Sequence, residues 1–137
     1  MRTQYIYSYA ILRIVPRVER GEYINAGVIL WCPKLSLLKA EILLEEGRLK
    51  ALDPNINVNE IRRHLNIISA ICEGEGAAGV IANMPPVQRF GWLTATRSTI
   101  IQTSPIHTGQ CDDPTLVVKQ LIGRLVCAPT PRCFGKK

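Results

Sequence analysis

Two polar runs interrupt apolar sequence and hold the residue types that could do chemistry. The first is Arg20-Gly21-Glu22-Tyr23-Ile24-Asn25-Ala26-Gly27-Val28. The second comes in three pieces: Arg89-Phe90-Gly91-Trp92-Leu93, Arg97-Ser98-Thr99, and Ser104-Pro105-Ile106-His107-Thr108-Gly109. Guanidinium groups are planar forks that grip phosphate or carboxylate with paired donors. Arg20, Arg89 and Arg97 could therefore hold one anion, with Ser98 and Thr99 adding hydroxyls. Glu22 could then act as acid, base or metal ligand. Imidazole suits proton transfer at neutral pH, which makes His107 a candidate acid or base. His107 could equally fix its own loop by bonding a backbone carbonyl.

Each of these residues also has a plainer reading. Arg20 and Glu22 are two apart, so they share a side in an extended segment and could pair with each other or with Arg97. Asn25 is costly inside an apolar strand unless its amide is hydrogen-bonded. It either faces a ligand beside Arg20 and Glu22 or holds the charged loop in place. His64 falls on the polar side of a helix, a surface position. Ser98 and Ser104 lack the GxSxG elbow of a nucleophilic serine. Five cysteines show no CxxC spacing and no paired histidines, so no metal site is expected. Four of them lie in or beside apolar segments and read as small buried thiols. Cys111 stands beside Asp112 and Asp113, whose charges would raise a thiol pKa. No Walker loop or GxGxxG is present, and no cofactor is expected.

The elements that must position these residues follow from periodicity. Tyr5 to Val15 alternates as a strand with Tyr5, Tyr7, Tyr9, Ile11 and Arg13 on one side. Ile24 to Cys32 is a second strand, and Gly27 within it marks a bulge or a close approach. Leu35 to Leu44 is a third. Short connections make the three an antiparallel meander. Ile61, Leu65, Ile68 and Cys72 then fall on one helical face, opened by Asn57 with Glu60 and stopped by Gly74. A short helix is expected around Ala77 to Ala82 and a helical turn at Val87 to Thr94. Thr99 to Thr103 is a fourth strand and Ser104 to Cys111 a loop. Asp112-Asp113-Pro114 opens a last helix. The expected fold is α+β: a mostly antiparallel four-stranded sheet in βββ-α-β-α order, with helices on one face.

The chain has 137 residues, 47% hydrophobic and 20% charged, which is globular composition rather than disorder. That length suits one domain, read as residues 1–128, with 129–137 a flexible basic tail. Lys and Arg number 17 against 11 Asp and Glu, a net charge of +6. Arg132, Lys136 and Lys137 in the tail supply half of it. The remainder permits an anionic partner without requiring nucleic acid. The three tyrosines invite a base-stacking reading, but no RNA-recognition signature accompanies them. No apolar run is long enough to span a bilayer and no signal peptide is evident, so a cytoplasmic location is expected.

Arg-Gly-Glu-x-x-Asn-x-Gly-Val at 20–28, Arg-Phe-x-Trp-Leu at 89–93, Arg-Ser-Thr at 97–99 and His-Thr-Gly at 107–109 together resemble the bacterial domain of unknown function 3037 family. The resemblance runs from about Tyr7 to Val126. It implies a small α+β protein with no assigned activity and a protein partner, a HipA-like kinase. The expected function is an accessory protein-interaction module with an anion-binding arginine cluster. The rivals are a hydrolase or nuclease using Glu22 and His107 on a phosphate-containing substrate, and a nucleic-acid binder.

Overall fold

The computed structural model describes residues 4–95 and 99–127. Strands β1 (Tyr5–Ile14), β2 (Ile24–Cys32) and β3 (Leu37–Ile42) form the expected antiparallel meander. Helices α1 (Glu46–Leu52), α2 (Val58–Glu73) and α3 (Pro86–Leu93) follow, then β4 (Ile101–Thr103) and β5 (His107–Cys111). Helix α4 (Pro114–Leu121) runs on into a π-helical turn, Ile122–Val126. The class is α+β and the sheet antiparallel, with five strands among the described residues, one more than expected. The β5 segment was expected as a loop. His-Thr-Gly-Gln-Cys has no apolar alternation, and pairing with Tyr5–Tyr9 of β1 makes it a strand. Helix α1 also has no sequence stripe, because only Leu49 of its seven residues is buried.

Helix α2 forms where its punctuation predicts. The Asn57 side chain accepts from the Glu60 N–H at 3.1 Å, and Gly74 closes the helix in the left-handed region at φ 76°. Ile61, Leu65, Ile71 and Cys72 are its buried stripe. The segment around Ala77 to Ala82 is two short 3-10 turns, Gly76–Ala78 and Ile81–Asn83, instead of a helix. Asp113 caps α4 through the Thr115 N–H at 3.1 Å, with Pro114 in the first turn.

Both faces of the sheet are covered. On one, Leu12, Ile14, Ile24, Ala26 and Ile29 pack with residues of α1, α2 and α3, while α4 departs from the expected one-face arrangement. On the other, Val28, Leu30 and Cys32 meet Val117, Val118 and Leu121 of α4 and Val126 of its π turn. Tyr5, Tyr7 and Tyr9 are half-buried at the margin of this second core.

The edge of β1 opposite β2 is shared, β4 pairing with Leu12–Ile14 and β5 with Tyr5–Tyr9. The two ladders differ in register by one residue, and Ser104 joins them. Its N–H donates to the Ile11 carbonyl at 2.9 Å. Its Oγ then accepts from the Ile11 N–H at 2.8 Å, where a regular strand would offer a main-chain carbonyl. Ser104 is buried, so loss of the hydroxyl leaves a backbone donor without a partner. Ser104→Ala is expected to destabilise the fold by on the order of 1–2 kcal/mol in urea unfolding, with Ser104→Thr recovering most of it.

Among the described residues three cysteines are free thiols: Cys32 and Cys72, both buried, and Cys111, half-buried. Cys127 is disulfide-bonded, which corrects its expected place among the buried thiols.

Candidate functional site

Each residue singled out for chemistry has a definite place. Arg20 and Glu22 pair with each other at 2.8 Å on the surface, beyond the β1–β2 turn. The guanidinium, by hydrogen bond and charge, holds the Glu22 carboxyl below its ordinary range. Asn25 is directed away from that loop. Its Nδ2 donates to the Leu125 carbonyl at 2.8 Å and so clasps the π turn onto the sheet. Asn25 Oδ1 and the Nε of Arg13, on register partners, are buried without hydrogen-bond partners among the described residues. The Arg13 guanidinium lies 4.4 Å above the Tyr23 ring, a cation–π contact.

Arg89 is buried and serves the scaffold. Its Nη1 donates to the Ile71 and Cys72 carbonyls, both at 2.8 Å, and its Nε to the Met84 carbonyl at 2.9 Å. One guanidinium thus closes the carboxyl end of α2 and ties it to α3. The surroundings are dry: burial pushes the Cys72 thiol up to about 12, against the opposing charge of Arg89. Thr99 donates its hydroxyl to the Ile101 carbonyl at 2.7 Å. Arg97 and Ser98 lie outside the described residues.

His107 sits on β5 opposite Tyr9, and the two ring centroids are 5.2 Å apart. From Tyr9 to the end of β1 is five residues, or about 17 Å of strand, and Glu22 lies beyond that end. The two weak catalytic candidates are therefore not brought together. Cys111 shares the face of His107. Burial leads in raising its thiol, followed by the neighbouring Cys32 thiol, with Asp113 and Asp112 contributing least. The charges of the adjacent carboxylates act in the expected direction, raising the thiol, though burial leads. Among the described residues no group of three or more His, Cys, Asp or Glu could hold a metal ion.

The concave site lies elsewhere. A groove of about 460 Å³ runs between α2, the end of α3 and β4. Leu12 and Ile61 reach it from the core, and Ile67, Trp92 and Ile100 line it while partly exposed to solvent. Glu60, His64, Gln102 and Thr103 add polar groups. Cavities of ~300–1,000 Å³ with apolar walls and few polar groups are the usual form of a binding site. Sequence reasoning placed His64 on an uninvolved surface and did not single out this groove. One signal was available. Ile67 and Trp92 are apolar but sit off the buried stripes of α2 and α3, Trp92 lying between the buried Phe90 and Leu93.

The sequence profile described as "Protein of unknown function (DUF3037)" matches residues 9–126. The chain belongs to the DUF3037 family. Neither the curated proteins nor the solved structures compared with it give a match.

The runs that carry the DUF3037 resemblance divide into two jobs. Asn25 clasps the π turn and Arg89 closes α2. Gly27 lies where a side chain would strike the Glu41 carbonyl, and Gly109 where one would strike the Tyr7 phenol. These four build the DUF3037 scaffold. Trp92, Leu93 and Thr99 line the groove. The match ends at Val126, the last residue of the π turn that Asn25 secures.

Proposed function

We propose that this DUF3037 chain is an accessory binding module that receives a protein partner in the groove between α2, α3 and β4. The observation that carries this reading is the groove itself: apolar, open to solvent and walled by three elements. A partner's apolar side chain entering it leaves water, which contributes about 1.5–3 kcal/mol for a fully buried Leu, Val or Phe. Thr103 and His64 supply polar contacts that would orient the entering segment. The groove takes the place of the arginine cluster first considered. Arg20 is engaged with Glu22 on the surface and Arg89 with carbonyls in the interior. The family resemblance makes a HipA-like kinase the partner to try.

The test is calorimetric titration of such a kinase with the native chain and with Ile67→Asp. Ile67 is about half exposed, so the substitution spares the core. The affinity is expected to fall at least about tenfold, the loss of one buried apolar contact and the burial of a charge, with thermal unfolding unchanged. Equal affinity for both chains would remove the groove from the interaction. A native chain that ignores the kinase would remove that partner.

A further inference from the structure

We infer that the segment received by the groove is an extended strand of a partner protein, apolar at alternate positions, which adds to the outer edge of β4, unpaired among the described residues. The inference rests on the groove reading above and names what fills it.

The hydrogen bonds of β4 set the direction of its backbone. The Val15 N–H donates to the Ile100 carbonyl at 2.6 Å, and the Ser104 N–H donates to the Ile11 carbonyl. Residues 100, 102 and 104 therefore turn their backbone groups toward β1, and in an antiparallel ladder Ile101 and Thr103 turn theirs away. Among the described residues β4 pairs with β1 alone. The outer edge thus presents the N–H groups of Ile101 and Thr103 and the Thr103 carbonyl. The Ile101 carbonyl already accepts from Thr99 and keeps a second lone pair.

The side chains of the same two residues face the other way from the hydrogen-bonding question. Ile101 and Thr103 are register partners of Ile14 and Leu12, whose side chains point to the α2–α3 face. Both line the groove. An incoming strand would meet backbone donors and acceptors at the edge and place every second side chain in the groove. Main-chain bonds then give affinity and the groove gives specificity. Edges not meant for pairing are commonly blocked with lysine, proline or a bulge. Thr99 to Ser104 contains no charged residue and no proline.

Two observations select a partner segment over a second copy. Pro105 ends the free edge after β4, and three strand residues fall well short of the ~1,200–2,000 Å² that a stable dimer buries.

The test selects random displayed peptides on the full chain and remakes the strongest binder synthetically. The expected peptide carries apolar residues at alternate positions. Its affinity falls about tenfold or more when alternate peptide amides are N-methylated, and on the variant Thr103→Pro, which removes an outward N–H while leaving the bonds to β1. N-methylation leaves the protein untouched, so this arm holds even where Thr103→Pro weakens the fold. A binder that is lost with Ile67→Asp but ignores both changes overturns strand addition and leaves the groove reading standing. Selection that yields no Ile67-dependent binder overturns both readings. A concentration-dependent dimer abolished by Thr103→Pro puts a second copy on the edge and overturns the partner.

Discussion

Replacing Arg89 by alanine is expected to cost about 3–5 kcal/mol of folding stability, while partner affinity per folded molecule stays unchanged. The guanidinium is a charged donor to three buried carbonyls, two at the end of α2 and one before α3. Hydrogen bonds from charged donors contribute roughly 1.5–3 kcal/mol each. Their sum is an upper bound, because a cavity in place of the side chain lets some carbonyls rehydrate. The position adds to the effect, since the carboxyl end of a helix is the negative end of its dipole and favours a cation. In thermal unfolding the loss reads as a fall on the order of 10–20 °C. Arg89→Lys keeps the charge but not the fork, and one ammonium cannot meet three carbonyls held in two directions. It should recover less than half of the loss. The opposite pattern, a native melting temperature with binding abolished, would return Arg89 to the role of an anion ligand.

Arg89 shows why the candidate site was only partly legible in the sequence. Its type and its neighbours are those of an anion site, and so are those of Arg20. What decides the matter is the identity of the acceptor. Here that is main-chain carbonyl oxygen at Ile71, Cys72 and Met84, and a carbonyl leaves no mark in the residue string. Asn25 repeats the case, because its acceptor is the Leu125 carbonyl one hundred residues later. Local signals fared better. The Asn57 cap, the Gly74 stop and the Asp113-Pro114 start are each settled within a few residues, and all three stand in the structure. The β1–β3 meander was legible for the same reason, through alternation and short connections. β5 was not, because its strand character comes from β1 and not from its own composition. The groove belongs to this second class. Ile67, Trp92 and Ile100 are far apart in sequence and look like ordinary apolar residues until α2, α3 and β4 are placed side by side.

Gly27→Ala is expected to cost about 3 kcal/mol, the upper end of the usual range for overpacking, and Gly27→Val to prevent folding. The reason lies in a bulge. β1 and β2 pair Leu12 with Gly27 and Arg13 with Asn25, so Ala26 is an extra residue. The bulge puts Ala26 and Gly27 on the same face in succession, and both must be small to share it. It also turns Asn25 to the opposite face, where it reaches the π turn. A Cβ built at Gly27 lies 2.8 Å from the Glu41 carbonyl oxygen, 3.1 Å from Leu12 Cδ1 and 3.3 Å from Ile42 Cγ1. The first contact governs the cost. It is backbone of β3, and β2 is bonded on both edges, so neither strand can step aside without breaking ladder bonds. Two double variants separate the contributions. Leu12→Ala in the Gly27→Ala background relieves the 3.1 Å contact but opens a hole of its own in the core, so no net recovery is expected. Glu41→Ala leaves the offending carbonyl in place and should change nothing. Recovery with Glu41→Ala would mean that the carboxylate, and not the strand spacing, sets the need for glycine. A cost below about 0.5 kcal/mol, the level of an ordinary surface change, would mean that β2 and β3 are free to part at the bulge. In that case Asn25 would no longer be held in register with the π turn, and its hydrogen bond to Leu125 would exchange as fast as the bulge opens.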